Sequence, residues 1–390
     1  MSENILPSPS IWPSDPQNGV VQQFSVSVCH NVASFPYHDC LQFRRSPAFA
    51  FCGTVLCITC RRHQEESVSA IAQIAAPRKL CRILSLDGGG AKGFYTLGVL
   101  AQVEAMFKGK PLCEEFDLIF GTSTGAIIAA LLSLGYKVAD IHNLYRQHVP
   151  TVMKNNTAGG RTKALDKLVV EIYGDKDFTH VKTGVGIVAT HWHLEKPMIF
   201  KSTIDQAHGS KDTFIPGFGC KIAEAVRASC SAYPYFERFI VKTGQGITVE
   251  LFDGGYCANN PTLYAIADAV KALGKNYADL RVLSVGVGTY PEPKHWVTPK
   301  YMVAWLAKVC LGFTGLQLLQ KTLNVNTTSM EQLRLILFND IQAVRINGSF
   351  TQPELATDLL EADLDKLNLL YQRGWESFAA HEKALKALLA

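Results

Sequence analysis

The stretch Arg82-Ile83-Leu84-Ser85-Leu86-Asp87-Gly88-Gly89-Gly90-Ala91-Lys92-Gly93-Phe94 decides how the chain is read. Its first five residues form a short apolar run of the kind found in buried strands, and the run ends at an aspartate followed by three glycines. Beyond the glycines, Phe94, Leu97, Leu100, Val103 and Phe107 recur at helical spacing and predict a helix. The same strand–turn–helix unit returns further on. Residues 116–120 are an apolar strand, Gly121-Thr122-Ser123-Thr124-Gly125 is a small-residue turn, and residues 126–134 are a nearly all-apolar helix that stops at Gly135. A helix with no polar face belongs at the centre of a core. Residues 184–190 and 281–287 read as further buried strands. Strands alternating with helices predict an α/β layered fold (α/β/α) with a mostly parallel central sheet.

Three regions follow from the patterning. Residues 1–78 lack clean periodicity and read as an atypical, poorly ordered extension. Residues 79–295 carry the strand–helix units, and residues 296–390 read as a helical C-terminal region packed on them. The chain is 47% hydrophobic and 18% charged, which excludes global disorder. A net charge of +4 is small for 390 residues and argues against a nucleic-acid polymer as partner. The start lacks the basic-then-apolar order of a secretory signal, and the apolar stretch at residues 47–60 falls short of the about 20 residues needed to span a bilayer. The odd number of cysteines, 11, at irregular spacing predicts reduced, buried thiols such as Cys230, Cys257 and Cys310 in a cytoplasmic protein. Cys52-x4-Cys57-x2-Cys60 has no obvious fourth ligand, so no metal is expected.

Gly88-x-Gly90-x-x-Gly93 matches a dinucleotide fingerprint in position, between a strand and a helix. The second half of that test fails, because Asp117 begins the next strand instead of ending it, and no Gly-Lys-Ser/Thr follows for a phosphate loop. Converging backbone N–H groups at a helix start also suit an oxyanion. Gly121-Thr122-Ser123-Thr124-Gly125 is G-x-S-x-G between strand and helix, the setting of a nucleophile elbow. A serine nucleophile needs a base. None of the 11 histidines sits in a convincing loop; His191 and His193 read as edge-strand residues and His142 and His148 as helical. Asp253, in Phe252-Asp253-Gly254-Gly255, can serve as that base if burial raises its pKa, or it can simply cap its own turn.

Asp87-Gly88-Gly89-Gly90-Ala91-Lys92-Gly93, Gly121-Thr122-Ser123-Thr124-Gly125 and Asp253-Gly254-Gly255, in that order, resemble the patatin-like phospholipase family. Ala228-Ser229-Cys230-Ser231-Ala232-Tyr233-Pro234-Tyr235-Phe236 is similar to the segment that precedes the family's catalytic acid. The resemblance spans residues 83–288 and implies a histidine-free dyad: Ser123 attacks an acyl ester and Asp253 acts as base. It implies an oxyanion hole from Gly88, Gly89 and Gly90, and a substrate anion contact at Lys92, where the family often has arginine. It implies glycerophospholipid substrates at a membrane surface, and no cofactor. A narrower resemblance, through residues 83–86, 96–100 and 350–354, is to bacterial patatin-like antiphage effectors. That likeness implies a cyclic oligonucleotide activator, bound near the C-terminal helices or at a homodimer seam, and action at the inner face of the membrane. The contrasting expectation is a non-catalytic storage or sensor protein on the same fold.

Overall fold

Cys81–Leu86 (β1) is hydrophobic on both faces, as a strand must be when helices cover both sides of a parallel sheet. In this computed structural model, which describes residues 80–208, 211–293 and 314–389, β1 lies at the middle of the sheet. It pairs in parallel with β2 (Leu118–Thr122) on one side and β7 (Leu280–Val285) on the other. Between them, β3 (Gly184–His191), β4 (Lys196–Lys201), β5 (Phe239–Lys242) and β6 (Thr248–Asp253) follow β2 in the chain, and β8 (Gln342–Ile346) follows β7. The sheet order is β5-β6-β3-β2-β1-β7-β8, with β4 also on β3. Strands β3, β2, β1, β7 and β8 are parallel, while β4, β5 and β6 join antiparallel. The expected α/β layering with a mostly parallel sheet is therefore present.

The described helices are α1 (Gly93–Met106), α2 (Thr124–Ser133), α3 (Val138–Met153), α4 (Ala158–Tyr173), α5 (Ile222–Ser229), α6 (Gly255–Ala258), α7 (Thr262–Ala267), α8 (Thr314–Leu337) and α9 (Leu364–Leu389). Alternation along β1 and β2 divides the core into two layers. Leu84, Leu86 and Ile119 pack with Phe94, Leu97 and Leu131, whereas Ile83, Leu118 and Phe120 pack on the opposite face with Ala265, Ile266 and Ile341. The nearly all-apolar α2 is buried at every residue but Ile127, as its lack of a polar face predicts. α9 lies against α1, and the approach is so close that a Cβ on Gly98 would stand 2.0 Å from the Tyr371 carbonyl oxygen.

Several boundaries differ from expectation. The second strand begins at Leu118 and takes in Gly121 and Thr122, so the elbow turns later than its hydrophobicity suggests. The C-terminal region is not all helix, since β8 adds a parallel strand beyond β7. β3 is an interior strand, with β4 along one edge and β2 and then β6 along the other, which corrects the edge-strand reading of His191. His193 lies past its end in the turn to β4, where its Nε2 stands 3.1 Å from Glu250. Cys230 is buried and Cys257 partly so; Cys310, the Cys52–Cys60 cluster and residues 301–313 lie outside the described residues. Among the described residues no helix is long and apolar enough to cross a membrane.

Candidate active site

Ser123 sits between β2 and α2 with φ 54° and ψ −120°, a backbone conformation that L residues rarely adopt. Its flanking glycines are there because other backbone comes too near for a side chain. A Cβ on Gly121 would lie 2.2 Å from the Gly125 carbonyl oxygen, and one on Gly125 would lie 2.3 Å from that of Leu86. The strain is held in place by bonds on both sides of the serine. The Ser123 N–H donates to Ser229 Oγ (2.9 Å), Ser229 Oγ donates to the Val188 carbonyl (2.5 Å), and Thr122 Oγ1 donates to the Ala258 carbonyl (2.7 Å). A serine raised on a sharp turn at a helix N-terminus is exposed to reactants and faces the positive end of the dipole.

Asp253 ends β6, and Gly254 after it passes so close to β3 that a Cβ would fall 2.1 Å from the Val188 carbonyl oxygen. Its N–H donates to the Ser231 carbonyl (3.0 Å), and its own carbonyl accepts from Thr190 Oγ1 (2.9 Å). Its carboxylate accepts the Gly255 N–H at 2.7 Å. The side chain is 2% exposed, and burial lifts its pKa to about 7; the Gly255 N–H and the Ser123 hydroxyl act against that rise. A carboxylate poised near neutrality is matched to taking a proton from a hydroxyl and returning it. Among the described residues no histidine bonds to either group.

The glycine turn is the third part. The Gly88 N–H donates to the Asn259 carbonyl (2.9 Å), so it is not a free donor and is removed from the expected oxyanion hole. Gly88 instead fixes the turn beside the nucleophile, where a Cβ would be 3.2 Å from that of Ser123. The N–H groups of Gly89 and Gly90 donate to no protein acceptor among the described residues. Gly90 has φ +59°, and a side chain there would strike the Leu359 carbonyl oxygen at 2.3 Å. The Thr124 N–H, one residue past the serine, is likewise without an acceptor, a donor that the glycine pattern could not reveal but the elbow position could.

Lys92, expected to meet a substrate anion, is buried and absent from the pocket wall around Ser123. Burial lowers its pKa to about 8, opposed by the charge of Asp358. The cation that grips the turn is Arg345 on β8, which sequence reasoning missed. It holds both Asp87 oxygens, one at 2.8 Å from its Nη1, and it also donates to Ser284 Oγ (2.7 Å). Burial raises the Asp87 pKa, and Arg345 pulls it back down. No signal in the sequence links positions 87 and 345, because strand pairing alone brings them together.

Ser123 opens into a pocket walled by apolar side chains such as Ile127, Val152, Leu165, Phe236, Leu319 and Leu359. Leu319 and Leu359 come from the C-terminal region, and the 228–236 segment supplies Cys230, Ala232, Tyr235 and Phe236. The wall accepts a hydrocarbon chain and offers it almost no hydrogen-bonding group. A serine on a strained elbow, a buried carboxylate poised near neutrality, unpaired N–H donors and an apolar pocket together suit attack on an ester whose acyl group is aliphatic.

The family whose description is "Patatin-like phospholipase" matches residues 84–266. The cUMP-AMP-activated phospholipase of Escherichia coli is 60% identical over 310 residues, covering 80% of this chain and 94% of that protein. The cGAMP-activated phospholipase of Vibrio cholerae serotype O1 is 27% identical over 235 residues, covering 53% of this chain and 63% of its own length. Patatin-like protein 3 of Arabidopsis thaliana is 28% identical over 261 residues, covering 54% and 59%.

Proposed function

Because the chain belongs to the patatin-like phospholipase family, we propose that this lipid acyl hydrolase cleaves membrane phospholipids with Ser123 and Asp253 as its dyad, on demand from a cyclic dinucleotide. The observation that carries the dyad is the burial of Asp253 beside the strained Ser123, which brings the carboxyl to about pH 7. Asp253 takes the hydroxyl proton as Ser123 Oγ attacks the acyl carbonyl carbon. The resulting oxyanion faces the Gly89 and Gly90 N–H groups, with the α2 dipole behind the nucleophile. Collapse breaks the ester bond, the proton passes from Asp253 to the departing lysolipid oxygen, and the acyl group stays on Ser123. Water then enters, gives its proton to Asp253 and releases the fatty acid.

The activator reading rests on the 60% identical relative, which is itself activated by cUMP-AMP. That makes cUMP-AMP the messenger of choice for this chain, with binding near α8 and α9 or at a homodimer seam. A phospholipase switched by an internal messenger works at the inner face of the membrane and suits antiphage defence, where lipid breakdown must await an alarm. The test is fatty-acid release from phospholipid vesicles by wild type, Ser123→Ala and Asp253→Asn, each with and without cUMP-AMP. Release by wild type only, and only with the messenger, is expected. Equal release without it refutes the switch, and release by the Ser123→Ala protein refutes the dyad.

A further inference from the structure

Strand β6 alternates along its length. Val249, Leu251 and Asp253 turn into the core, while Glu250 and Phe252 turn to the opposite face, where they are half-buried. That face gathers aromatic side chains from three other segments. Trp192, in the turn after β3, packs edge-on against Phe252 (5.2 Å between ring centres) and Tyr233 (5.7 Å), and Phe252 packs against Tyr256 of α6 (4.7 Å). The Tyr256 hydroxyl donates to the Tyr233 carbonyl. Arg238 lays its guanidinium over Trp192 (4.2 Å) and Tyr233 (5.3 Å), and it pairs with Glu250 at 3.2 Å. Two aliphatic side chains flank the rings. Ile240, opposite Glu250 on β5, is 64% exposed, and Leu194, in the same turn as Trp192, is 56% exposed. Aliphatic groups this bare, beside a cluster of rings, mark a surface built to be covered.

The patch runs into the wall of the pocket at Ser123. Tyr233 sits in the chain between Ala232 and Tyr235, both wall residues and both only partly buried, so the pocket comes to the surface beside it. Tyr256 packs against Leu319 and Leu323 of α8, and Leu319 belongs to the same wall. An acyl chain that enters the pocket passes this rim, and it comes out of a lipid layer. Tyrosine and tryptophan suit that boundary, with an apolar body for the acyl layer and a polar edge for the headgroups. The patch charges balance, Arg238 against Glu250, which matches a zwitterionic headgroup and leaves no unpaired cation there for anionic lipid. We infer that this face docks on a zwitterionic phospholipid bilayer, with Leu194 and Ile240 in the acyl layer and the Trp192, Tyr233 and Tyr256 rings at headgroup depth. A lipid then moves from the bilayer to Ser123 along an apolar path. The inference rests on the phospholipase reading of Ser123 and names the surface that brings that site to its substrate.

The test reads binding rather than turnover, so it separates docking from the dyad. The Ser123→Ala protein, which leaves vesicles intact, is sedimented with phosphatidylcholine vesicles in the presence of cUMP-AMP. Adding Leu194→Ser and Ile240→Thr to it removes both aliphatic anchors at exposed positions without changing charge. That loss is expected to weaken vesicle binding about 10²-fold while the unfolding midpoint holds. High salt should not release the bound protein, because the anchor is apolar. Phosphatidylcholine brominated along its acyl chains should quench the fluorescence of the Ser123→Ala protein, and a further Trp192→Phe change should remove most of that quenching, although five tryptophans are present. Failure to bind these vesicles, equal binding by the anchor variant, quenching that survives Trp192→Phe, or binding that needs anionic lipid and is lost in salt would each overturn the inference. So would an anchor variant that still holds vesicles but no longer self-associates, which would make the face a contact between copies of the chain. Fatty-acid release by Ser123→Ala would instead sink the dyad and leave the docking result standing.

Discussion

Replacing Asp253 with asparagine should stabilise the protein while inactivating it, and the gain should grow with pH. The carboxyl is fully buried, and its pKa rises from 3.8 to about 7 on folding. Roughly three pH units at 1.36 kcal/mol each mean that ionised Asp253 costs the fold about 4 kcal/mol. The sign follows from linkage. Because the folded pKa is the higher one, nothing is lost below 3.8, stability drains away as pH climbs towards 7, and above 7 the full cost applies. Asparagine stays neutral throughout and keeps an oxygen for the Gly255 N–H. The advantage of Asp253→Asn over wild type should therefore widen by about 2–3 kcal/mol between pH 5 and pH 8. At about 2 °C per kcal/mol for a domain of this size, that is roughly 5 °C in the difference of unfolding midpoints. Thermal unfolding of the two proteins at both pH values, with ester hydrolysis measured in parallel, is the assay. A gap that stays constant with pH, or a variant less stable at pH 8, would refute burial as the source of the base.

Other perturbations have equally definite outcomes. In wild type, kcat/KM for ester hydrolysis should fall about tenfold per pH unit below about 7 and level off above, because only ionised Asp253 accepts the Ser123 proton; a flat profile down to pH 5 would exclude it. Ser123→Gly should abolish turnover yet raise stability by about 1 kcal/mol in urea unfolding, since glycine adopts φ 54° without strain. Gly90→Ala should lose about 10²-fold or more in rate and unfold earlier, as its Cβ meets backbone at 2.3 Å at a positive φ. Arg345→Met should cost about 3–5 kcal/mol by stranding the buried Asp87, and Arg345→Lys should recover only part, lacking the fork that holds both oxygens.

The parts of this protein that were legible in advance are those where local chemistry has one use. Three glycines after a doubly buried strand, and a serine between glycines ahead of an apolar helix, announce turns that no other residues can make, because neighbouring backbone fills the space of a side chain. Their spacing along the chain, with Asp253 to follow, carried the family resemblance, and the α/β layering came from hydrophobic runs alone. The errors have a common cause. Gly88 looked like a donor because its use by Asn259, far along the chain, is invisible in a turn motif. Lys92 looked like an anion site because its charge is visible and its burial is not. β8 went unseen because its run is short and only half buried, so its periodicity is weak.

The sequence by itself determined which residues can do chemistry: a hydroxyl on a strained elbow, a carboxylate between glycines, and amides that converge at a helix start. Those properties depend on a few adjacent residues and on the steric limits of the backbone. Tertiary structure alone decided which carboxylate is buried beside the serine, which amides are free and which cation holds the turn. Burial lifts Asp253 to about pH 7, β8 carries Arg345 to Asp87, and α8 carries Asn326 and Thr327 to Asn259. Desolvation and hydrogen-bond occupancy are set by groups distant in the chain, so they exist only once the sheet has brought those groups together.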